Sequence, residues 1–474
     1  MTTHAMATLD GMRATLDSAA VEAFRTSFGG RLVTPDDRDY DAVRTIWNAM
    51  IDRRPALIAR CASTDDVVQA VRFAAEHRLL TSVRGAGHNI AGNALCEGGL
   101  MIDLSTMKSV KVDPAKKIAR VEPGVTLGEL DAATQAHGLA TPVGINSTTG
   151  IAGLTLGGGF GWLSRKYGLT VDNLISAEVV TAEGKRIKAS ADSHPDLFWG
   201  IRGGGGNFGI VTSFELGLHP VGPEVLAGLI VHPFADARDV LRRYRELTAK
   251  APDELTVWVV MRKAPPLPFL PAEVHGKEIL ALAMLYAGPM DEGEKVVKPF
   301  RAIGQPIADV VGPSPFAGFQ AAFDPLLTPG MRNYWKSHNF LGIEDPLIDV
   351  LLRYVGTLPS PHSELFIGQM GGATSRVAPD ATAYQHRDAA YILNVHTRWE
   401  SPADDVKCIA WARDLFAATK PFATGGVYVN FMPEDEGDRV EAAYGGNYAR
   451  LAKLKQTYDP TNLFRLNQNI SPHA

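Results

Sequence analysis

The sequence predicts an α+β protein made of two main regions. Up to about Pro220, short apolar runs typical of strands alternate with amphipathic helical patterns. Beyond that point the strand-like runs are longer, and the helices between them would cover one side of a single antiparallel sheet. A chain of 474 residues is long enough for more than one core. We expect an N-terminal helical arm (1–38), a first domain (39–222), a second domain (223–425) and a final segment (426–474).

In the first region, the spacing of apolar residues predicts helices over Asp65–Arg78 and Leu127–His137. Ser63 or Thr64 can cap the first helix, and Gly138 stands where glycine commonly ends a helix. Met1–Ser18 lacks a secretory signal pattern and is expected to be a short helix or a frayed arm. Strands are predicted at residues 79–83, 99–104, 118–123, 177–182 and 210–216.

The second region has fewer and longer elements. Residues 264–271 are rich in proline, which excludes them from the interior of a strand or helix. Helices are expected at 235–248 and 404–420. Strands are expected at residues 226–233, 255–262, 279–286, 365–370 and 391–399.

Composition excludes several classes of function. The 47 basic and 52 acidic residues leave a net charge of −5, and no basic block indicates nucleic acid as a partner. No apolar run is long enough to span a bilayer. Three cysteines, Cys61, Cys96 and Cys408, are too few for a disulfide framework and lack metal-binding spacing. We therefore expect a cytoplasmic protein whose cysteines serve packing.

A glycine-containing loop, Arg84-Gly85-Ala86-Gly87-His88-Asn89, follows the strand predicted at 79–83. Glycine allows backbone conformations closed to other residues, so the amide N–H groups of such a loop can lie against a phosphate-bearing ligand. His88 would then project towards that ligand. A glycine turn beside a surface histidine is the alternative, because such turns are common.

Two further glycine runs occur downstream. Gly204, Gly206 and Gly209 fit the pattern GxGxxG, which in a doubly wound dinucleotide fold follows a strand and opens a helix. Here a helical pattern, Pro195–Ile201, precedes the run and a strand follows it, so we reject an NAD-binding fold. The run Gly157–Gly161 either approaches a ligand or allows tight packing.

Taken in order, these motifs resemble the FAD-linked oxidases of the vanillyl-alcohol oxidase type with a PCMH-type FAD-binding domain, and within them the berberine-bridge-enzyme-like branch. The resemblance extends from about Asp39 to Ile470. Within the branch it is greatest to the flavoenzyme type of enterocin biosynthesis, over residues 46–48, 53–61 and 162–169. The other stretches that carry the family resemblance are 84–89, 157–161, 171–175, 196–199, 202–211, 459–464 and 467–470.

This resemblance implies a two-part FAD-binding domain over 39–222, a substrate-binding domain over 223–425 and a C-terminal segment that returns to the FAD domain. The positions that it assigns to FAD binding are Arg84, Gly85, Ala86, Gly87, His88, Asn89, Asn146, Thr148, Thr149, Gly150, Gly153, Gly157, Gly158, Gly159, Gly161, Gly206, Gly209, Ile210, Val211, Asn467 and Asn469.

In the family, the histidine at the position of His88 bonds covalently to the 8α-methyl carbon of the flavin. Many relatives add a second bond from a cysteine, and the matching position here is Asn146. Because asparagine cannot form a thioether, the resemblance implies FAD held by a single covalent bond to His88, without a cysteinyl bond.

Substrate-side candidates lie mainly in the second region. Alternation over 391–399 places Asn394, His396 and Arg398 on one face, which meets either solvent or a cavity. His396 is a candidate base because imidazole titrates near neutral pH. The other candidates are Tyr334, Lys336 and His338, which alternate with Trp335, and Gln369.

Tyr428-Val429-Asn430-Phe431 resembles the family's Tyr-x-Asn-Tyr motif, in which the last tyrosine often acts as a base. Phe431 has no proton to transfer, so the base must be Tyr334, Tyr428 or His396. Tyr428 and Asn430 remain site candidates. The acidic active-site residue of the enterocin type aligns with Phe366, so that chemistry does not carry over directly.

The function implied by the resemblance is that of an FAD-dependent oxidase. It would transfer a hydride from a C–OH or C–N bond of a small or medium organic substrate to flavin N5, and dioxygen would reoxidise the flavin to give hydrogen peroxide. The alternatives are an oxygenase of the enterocin type, a dehydrogenase with poor oxygen reactivity, and a flavin-bearing protein without turnover. We expect a monomer or homodimer with no nucleic-acid or membrane partner.

Overall fold

The computed structural model describes residues 3–473. It begins with an antiparallel hairpin of Thr3–Ala7 and Arg13–Asp17, followed by a helix over Ser18–Ser27. The expectation of a short helix or frayed arm over Met1–Ser18 is therefore wrong for residues 3–17, and its first two residues lie outside the described part of the chain. Asp10-Gly11 makes the turn, with Gly11 at a φ of 79°, and this dipeptide is a strong hairpin signal.

A four-stranded sheet forms the first layer of the N-terminal half. The helix Thr64–Glu76 connects two of its strands and buries an apolar face made of residues such as Val67 and Val71. Ser63 caps this helix by accepting from the backbone N–H of Asp66, as its sequence predicts. In spatial order the strands are Arg31–Val33, Leu57–Arg60, Leu100–Asp103 and Thr81–Arg84, and the last three are mutually parallel.

A five-stranded antiparallel sheet forms the second layer. Apolar residues of the C-terminal segment, including Val427, Leu451 and Ile470, pack into the core beneath it. Its strands, in spatial order, are Arg186–Ser190, Leu174–Val180, Ile210–Gly217, Ile118–Val121 and Val110–Asp113. The short strands Leu139–Ala140 and His219–Pro220 pair beside it. Helices on this part of the chain are Tyr40–Arg44, Leu127–Gln135, Ile151–Leu156, Ser164–Tyr167 and Pro195–Ile201.

An eight-stranded antiparallel sheet organises the second region. In spatial order its strands are Ala308–Asp309, Glu224–Pro233, Glu278–Tyr286, Leu255–Lys263, Glu364–Gln369, Tyr391–Trp399 and Arg332–Phe340, and Gly312–Pro315 also pairs with Glu224–Pro233. The four longest helices of this region are Ala237–Thr248, Met290–Arg301, Asp345–Val355 and Asp405–Thr419.

One large apolar core lies between this sheet and the helices. The predicted α+β architecture, with an antiparallel sheet covered by helices, is confirmed. The structure adds the helices Met290–Arg301 and Asp345–Val355, which the sequence patterns did not indicate. It also shows that the alternating residues 334–338 belong to an edge strand, Arg332–Phe340. The remaining α-helices are Phe316–Gln320, Ala373–Arg376, Val440–Tyr444 and Tyr448–Tyr458, the last two in the C-terminal segment.

The three cysteines are buried and form no disulfide. Among residues 3–473, no helix is both long and apolar enough to cross a membrane. Nor does this part of the chain bring three or more metal-ligating side chains together.

Candidate active site

A cavity of about 370 Å³ lies between the glycine-containing loops of the first region and the uncovered face of the eight-stranded sheet. This volume is typical of ligand pockets. We call its two sides the glycine half and the sheet half. The glycine half comprises residues 85–89, 144–146, 149–150, 152–154, 205–206, 209–211 and 466–468. The sheet half comprises residues 229, 231, 258, 260, 262, 279, 281, 283, 335, 364, 366, 394 and 396.

The loop after strand Thr81–Arg84 forms the floor of the glycine half. Gly87 has a φ of 76°, a left-handed conformation that favours glycine. A Cβ atom on Gly150 would lie 2.8 Å from the Cβ atom of Ala86, so the two loops approach too closely for side chains. The backbone N–H groups of residues 85–88 donate to no acceptor within residues 3–473. Unpaired amides of this kind suit an anionic group such as a pyrophosphate.

His88 projects from this loop at the junction of the two halves. Its Nε2 lies 2.8 Å from Oγ1 of Thr148, and its ring stacks on Trp47 with centroids 4.8 Å apart. Burial by the surrounding protein, with a further contribution from the charge of Arg398, lowers the pKa of His88 to about 3. The imidazole is therefore neutral at physiological pH and has a lone pair available for bonding.

Most of the positions assigned to FAD by resemblance lie in the wall of this cavity. They are Gly85, Ala86, Gly87, His88, Asn89, Asn146, Thr149, Gly150, Gly153, Gly206, Gly209, Ile210, Val211 and Asn467. Thr148 is not in the wall but contacts Nε2 of His88. Arg84 instead donates to the carbonyl oxygen of Val43, and Asn469 lies outside the wall.

The glycines of the run Gly157–Gly161 are packed against neighbouring segments, and the expectation that Gly157, Gly158, Gly159 and Gly161 contact FAD stays a prediction. None of these glycines lies in the cavity wall. A Cβ atom on Gly157 would collide with the side chain of Asn430, and one on Gly161 would collide with the carbonyl oxygen of Val143. The absence of side chains lets this turn pass directly beneath the C-terminal segment.

Three ionisable residues meet in the sheet half. Nη1 of Arg262 lies 2.7 Å from Oε2 of Glu364, and Nδ1 of His396 lies 3.1 Å from Oε1 of the same carboxylate. Burial opposes ionisation of Glu364, but the charge of Arg262 and the contact with His396 outweigh it and lower the pKa of the carboxyl to about 2. Glu364 is consequently a carboxylate whose oxygens are both occupied.

His396 has the protonation state required of a base. Burial lowers its pKa below the usual 6.5, although Glu364 acts in the opposite direction, so it is neutral at pH 7. Because a carboxylate only accepts, the proton of neutral His396 resides on Nδ1 and Nε2 keeps a lone pair. Oδ1 of Asn333 lies 3.4 Å from Nε2 and can accept from it once His396 is protonated. The sequence left open whether His396 meets solvent or a cavity, and in the structure it lines the cavity.

Three predicted catalytic residues lie on the other side of the sheet. The hydroxyl of Tyr334 donates to Asp435 at 2.7 Å, and the ammonium of Lys336 lies 3.1 Å from Glu436. Gln369 accepts from the backbone N–H of Val257. The expectation that these residues contact substrate is therefore wrong. Alternation separates Tyr334 and Lys336 from Trp335, and it is Trp335 that enters the cavity wall. His338 shares the face of Tyr334 and stacks on Phe416.

Tyr428, Asn430 and Phe431 line the cavity where its two halves meet. The Tyr428 hydroxyl accepts from the backbone N–H of Gly159 at 3.1 Å and from Nδ2 of Asn430 at 2.9 Å. Burial raises the pKa of Tyr428 to about 12, so this phenol stays protonated at neutral pH. Tyr428 is thereby disfavoured as a base. Of the three candidate bases, His396 remains.

Sequence reasoning missed Glu364, Arg262 and the tryptophans Trp258 and Trp335, which also line the cavity. A signal for the charged pair was present, since each charge stands near the end of a strand and in line with apolar residues of the same face. Arg262 follows Trp258 and Val260 at a spacing of two, and Glu364 precedes Phe366 at the same spacing.

Comparison with known proteins identifies two family domains in this chain. A family model described as an FAD binding domain matches residues 55–190, and a model described as berberine and berberine like matches residues 427–471. The first covers the glycine loop with His88, and the second covers the segment with Tyr428 and Asn430.

Similar proteins match over nearly the whole chain. An uncharacterised FAD-linked oxidoreductase of Bacillus subtilis is 35% identical over 94% of this chain and 98% of its own length. The (R)-6-hydroxynicotine oxidase of Paenarthrobacter nicotinovorans is 32% identical over 94% and 98%, respectively. The structure of BBE-like 1 from Physcomitrella patens superposes with a TM-score of 0.86, at 25% identity, over 95% of this chain and 98% of that one.

These matches do not test the likeness to the enterocin type, which stays a prediction. The family itself follows from the two family models and from relatives that match over nearly their full length. The chain belongs to the FAD-linked oxidoreductases of the berberine-bridge-enzyme-like family.

Proposed function

We propose that this protein is an FAD-dependent oxidase that takes a hydride from a C–OH or C–N bond of a small or medium organic substrate and delivers the electrons to dioxygen, releasing hydrogen peroxide. The observation that carries this proposal is the buried pair of Glu364 and His396, which faces the same cavity as the His88 loop. A base and a cofactor site on opposite walls of one cavity suit substrate oxidation.

The glycine half has the chemistry to hold FAD. Its unpaired amides at 85–88 would bind the pyrophosphate, and the close approach of Gly150 to Ala86 leaves the backbone free to contact the cofactor. When bound, FAD supplies a two-electron acceptor at N5. We propose that neutral His88 tethers it covalently, and that Asn146 leaves this as the single bond.

His396 would take the substrate proton. Its Nε2 has a lone pair at neutral pH, and Glu364 accepts from Nδ1, which orients the ring and stabilises the imidazolium that forms. Asn333 then accepts from Nε2. Because Phe431 and the fully protonated Tyr428 cannot serve in this way, the proton has one well-prepared acceptor in this part of the site.

The walls favour an uncharged, largely apolar substrate. Beside the sheet, the cavity is bounded by apolar residues of the proline-rich loop and of a second segment, namely Pro265, Leu267, Phe269, Leu270, Phe323, Leu326 and Leu327. The charges of Arg262 and Glu364 satisfy one another, so neither is left to neutralise a charged ligand. An unpaired charge in such a cavity would lose its hydration without compensation.

The first experiment is the absorbance spectrum of the purified protein before and after acid precipitation, with His88→Ala as the control. Flavin that stays with the wild-type precipitate but not with the variant supports a His88 tether, and alcohols and amines are then screened for peroxide release. Flavin found only in the supernatant would overturn the covalent assignment. Incorporation of oxygen from labelled dioxygen would favour the oxygenase alternative, and slow reoxidation in air would favour a dehydrogenase.

A further inference from the structure

Thr148 lies between His88 and Asn146 and is within hydrogen-bonding distance of both. The Thr148 hydroxyl lies 2.8 Å from Nε2 of His88 and 2.7 Å from Oδ1 of Asn146. The backbone N–H of Thr148 donates to the same Oδ1 at 3.0 Å. A backbone N–H requires an acceptor, so this atom is the oxygen of the amide and not its nitrogen.

The direction of the hydrogen bonds follows from this assignment. An amide oxygen can only accept, so the Thr148 hydroxyl gives its proton to Asn146. The hydroxyl oxygen is then left to accept from His88, which places the imidazole proton on Nε2. A neutral imidazole carries one N–H, so Nδ1 of His88 keeps a free lone pair.

Nδ1 is also the nitrogen that is accessible. Within residues 3–473 it has no hydrogen-bond partner, yet it is not among the polar atoms that the protein encloses. His88 lines the cavity, and the stack on Trp47 holds the plane of its ring. The free lone pair is therefore on the atom that a ligand in the cavity can reach.

We propose that Asn146 and Thr148 are positioning residues for covalent flavin attachment, because they hold His88 in the Nε2–H tautomer and so present Nδ1 to the 8α carbon. This inference rests on the covalent attachment proposed above. It also assigns a role to Asn146 itself: the position that bears a second tether in many relatives here orients the first one.

The bonding step balances with dioxygen as the oxidant. One bond forms, between Nδ1 of His88 and the 8α carbon, and one C–H bond of the 8α methyl group breaks. One proton leaves that methyl group and one leaves Nε2. Thr148 is exposed, so the second proton can pass from Nε2 to water beside it. The two electrons released reduce dioxygen, which takes up two protons to give hydrogen peroxide.

The test compares variants that break the hydrogen-bond chain with variants that keep it. Thr148→Val and Asn146→Leu remove the hydroxyl and the acceptor, whereas Thr148→Ser and Asn146→Asp retain them. Each full-length protein is produced under riboflavin limitation and mixed with FAD in air. Acid-insoluble flavin is followed over time, and total bound FAD is measured in parallel. We expect the first pair to attach FAD about tenfold more slowly, as loss of one hydrogen bond would produce. The second pair should attach it at nearly the wild-type rate, and all four should bind FAD.

A separate readout reports the tautomer directly. Nitrogen-15 NMR of histidine-labelled wild-type protein before FAD addition, with His88→Gln to assign the signal, should show Nε2 protonated. A proton on Nδ1, or attachment by Thr148→Val at the wild-type rate, would overturn this inference while leaving the single His88 tether in place. Wild-type protein that binds FAD but never attaches it would overturn both proposals.

Discussion

Nδ1 of His396 and Oε1 of Glu364 lie 3.1 Å apart on adjacent strands, because these two residues are directly paired in the antiparallel register. The next strand contributes Arg262, which is paired with Glu364 in the same way. Three residues distant in sequence thus form one row across the sheet, and their side chains all point into the cavity. The arrangement leaves a neutral imidazole supported by an ionised carboxylate.

Replacing the carboxylate should reduce turnover without affecting the cofactor. We expect Glu364→Gln to lower kcat by about 100-fold, the low end of the usual contribution of acid–base catalysis, because the imidazolium of His396 loses its counter-ion. Flavin content should stay at the wild-type level, since Glu364 lies in the sheet half. Glu273→Gln, which changes an exposed carboxyl of the same domain, is the control. Unchanged kcat in Glu364→Gln would argue against this base.

The pH profile should report the same pair. A base must be unprotonated, so kcat/KM falls as the pH drops through the pKa of His396 in the free enzyme. Burial puts that pKa below 6.5, and we expect the acidic limb to lie below this value. Glu364 raises the pKa of His396, so Glu364→Gln should move the limb to a still lower pH. A limb that moves upwards in this variant would contradict the assignment.

Ligand charge should control binding to the sheet half. Three ligands of similar size separate this effect from shape: 2-naphthalenemethanol is neutral, 2-naphthylmethylamine is cationic at pH 7, and 2-naphthoate is anionic. We expect the neutral alcohol to bind at least about tenfold more tightly than either ion, because the two charged residues of the sheet half, Arg262 and Glu364, are paired with each other. Quenching of tryptophan fluorescence measures each Kd, since Trp258 and Trp335 line the site. Equal affinities would contradict the inferred substrate polarity.

A buried carboxyl between the two regions should make stability depend on pH. Asp131 accepts from Nε2 of Gln320 at 3.1 Å, and burial raises its pKa to about 7, against the lowering effect of that bond. The unfolded chain ionises this group near pH 4, whereas the native protein keeps it protonated until about pH 7. Its neutral form is therefore favoured by folding, and stability falls between these values by about 4 kcal/mol at most.

Asp131→Asn should remove that loss. The introduced amide can also donate to Oε1 of Gln320, which is buried without a partner among the described residues. We expect a higher Tm than wild type at pH 8 and little difference at pH 4. Asp414→Asn, at an exposed position, is the control. An equal change in Tm at both pH values would show that Asp131 does not titrate as its burial indicates.

Thermal stability tests whether the glycines of the run Gly157–Gly161 are needed for packing. Gly157→Ala places a methyl group against Asn430, so we expect a clear loss of Tm. At Gly437 a Cβ atom meets nothing within 4 Å, and Gly437→Ala should leave Tm nearly unchanged. Loss of FAD without loss of stability in Gly157→Ala would instead favour a direct contact with the cofactor.

Features that depend on residues adjacent in the sequence could be predicted from the sequence. The helix Thr64–Glu76, with its Ser63 cap, and the strand Tyr391–Trp399 follow from local periodicity and hydrogen bonding. The N-terminal hairpin was missed although Asp10-Gly11 signals it locally. The glycine loop with His88 is a contiguous motif, and it lies within the segment that the model of an FAD binding domain matches.

Alternation along residues 332–340 correctly separates Trp335 from Tyr334 and Lys336, but it does not say which face meets the cavity. That choice depends on the helix Asp405–Thr419, which packs on the other side of the sheet, and on the C-terminal segment, whose Asp435 and Glu436 contact Tyr334 and Lys336. Strand order likewise brings Arg262, Glu364 and His396 together, since residues from three separate strands meet only through pairing.

The sequence by itself therefore determined the fold class, the FAD-linked family and the loop that bears His88, because each depends on local pattern or on contiguous motifs. Only the tertiary structure decided which ionisable groups form the sheet half, that Gly157 and Gly161 lie against neighbouring segments, and that Thr148 connects His88 to Asn146. The physical reason is that protonation, tautomer and burial are set by neighbours in space, and the chain brings those neighbours from distant positions.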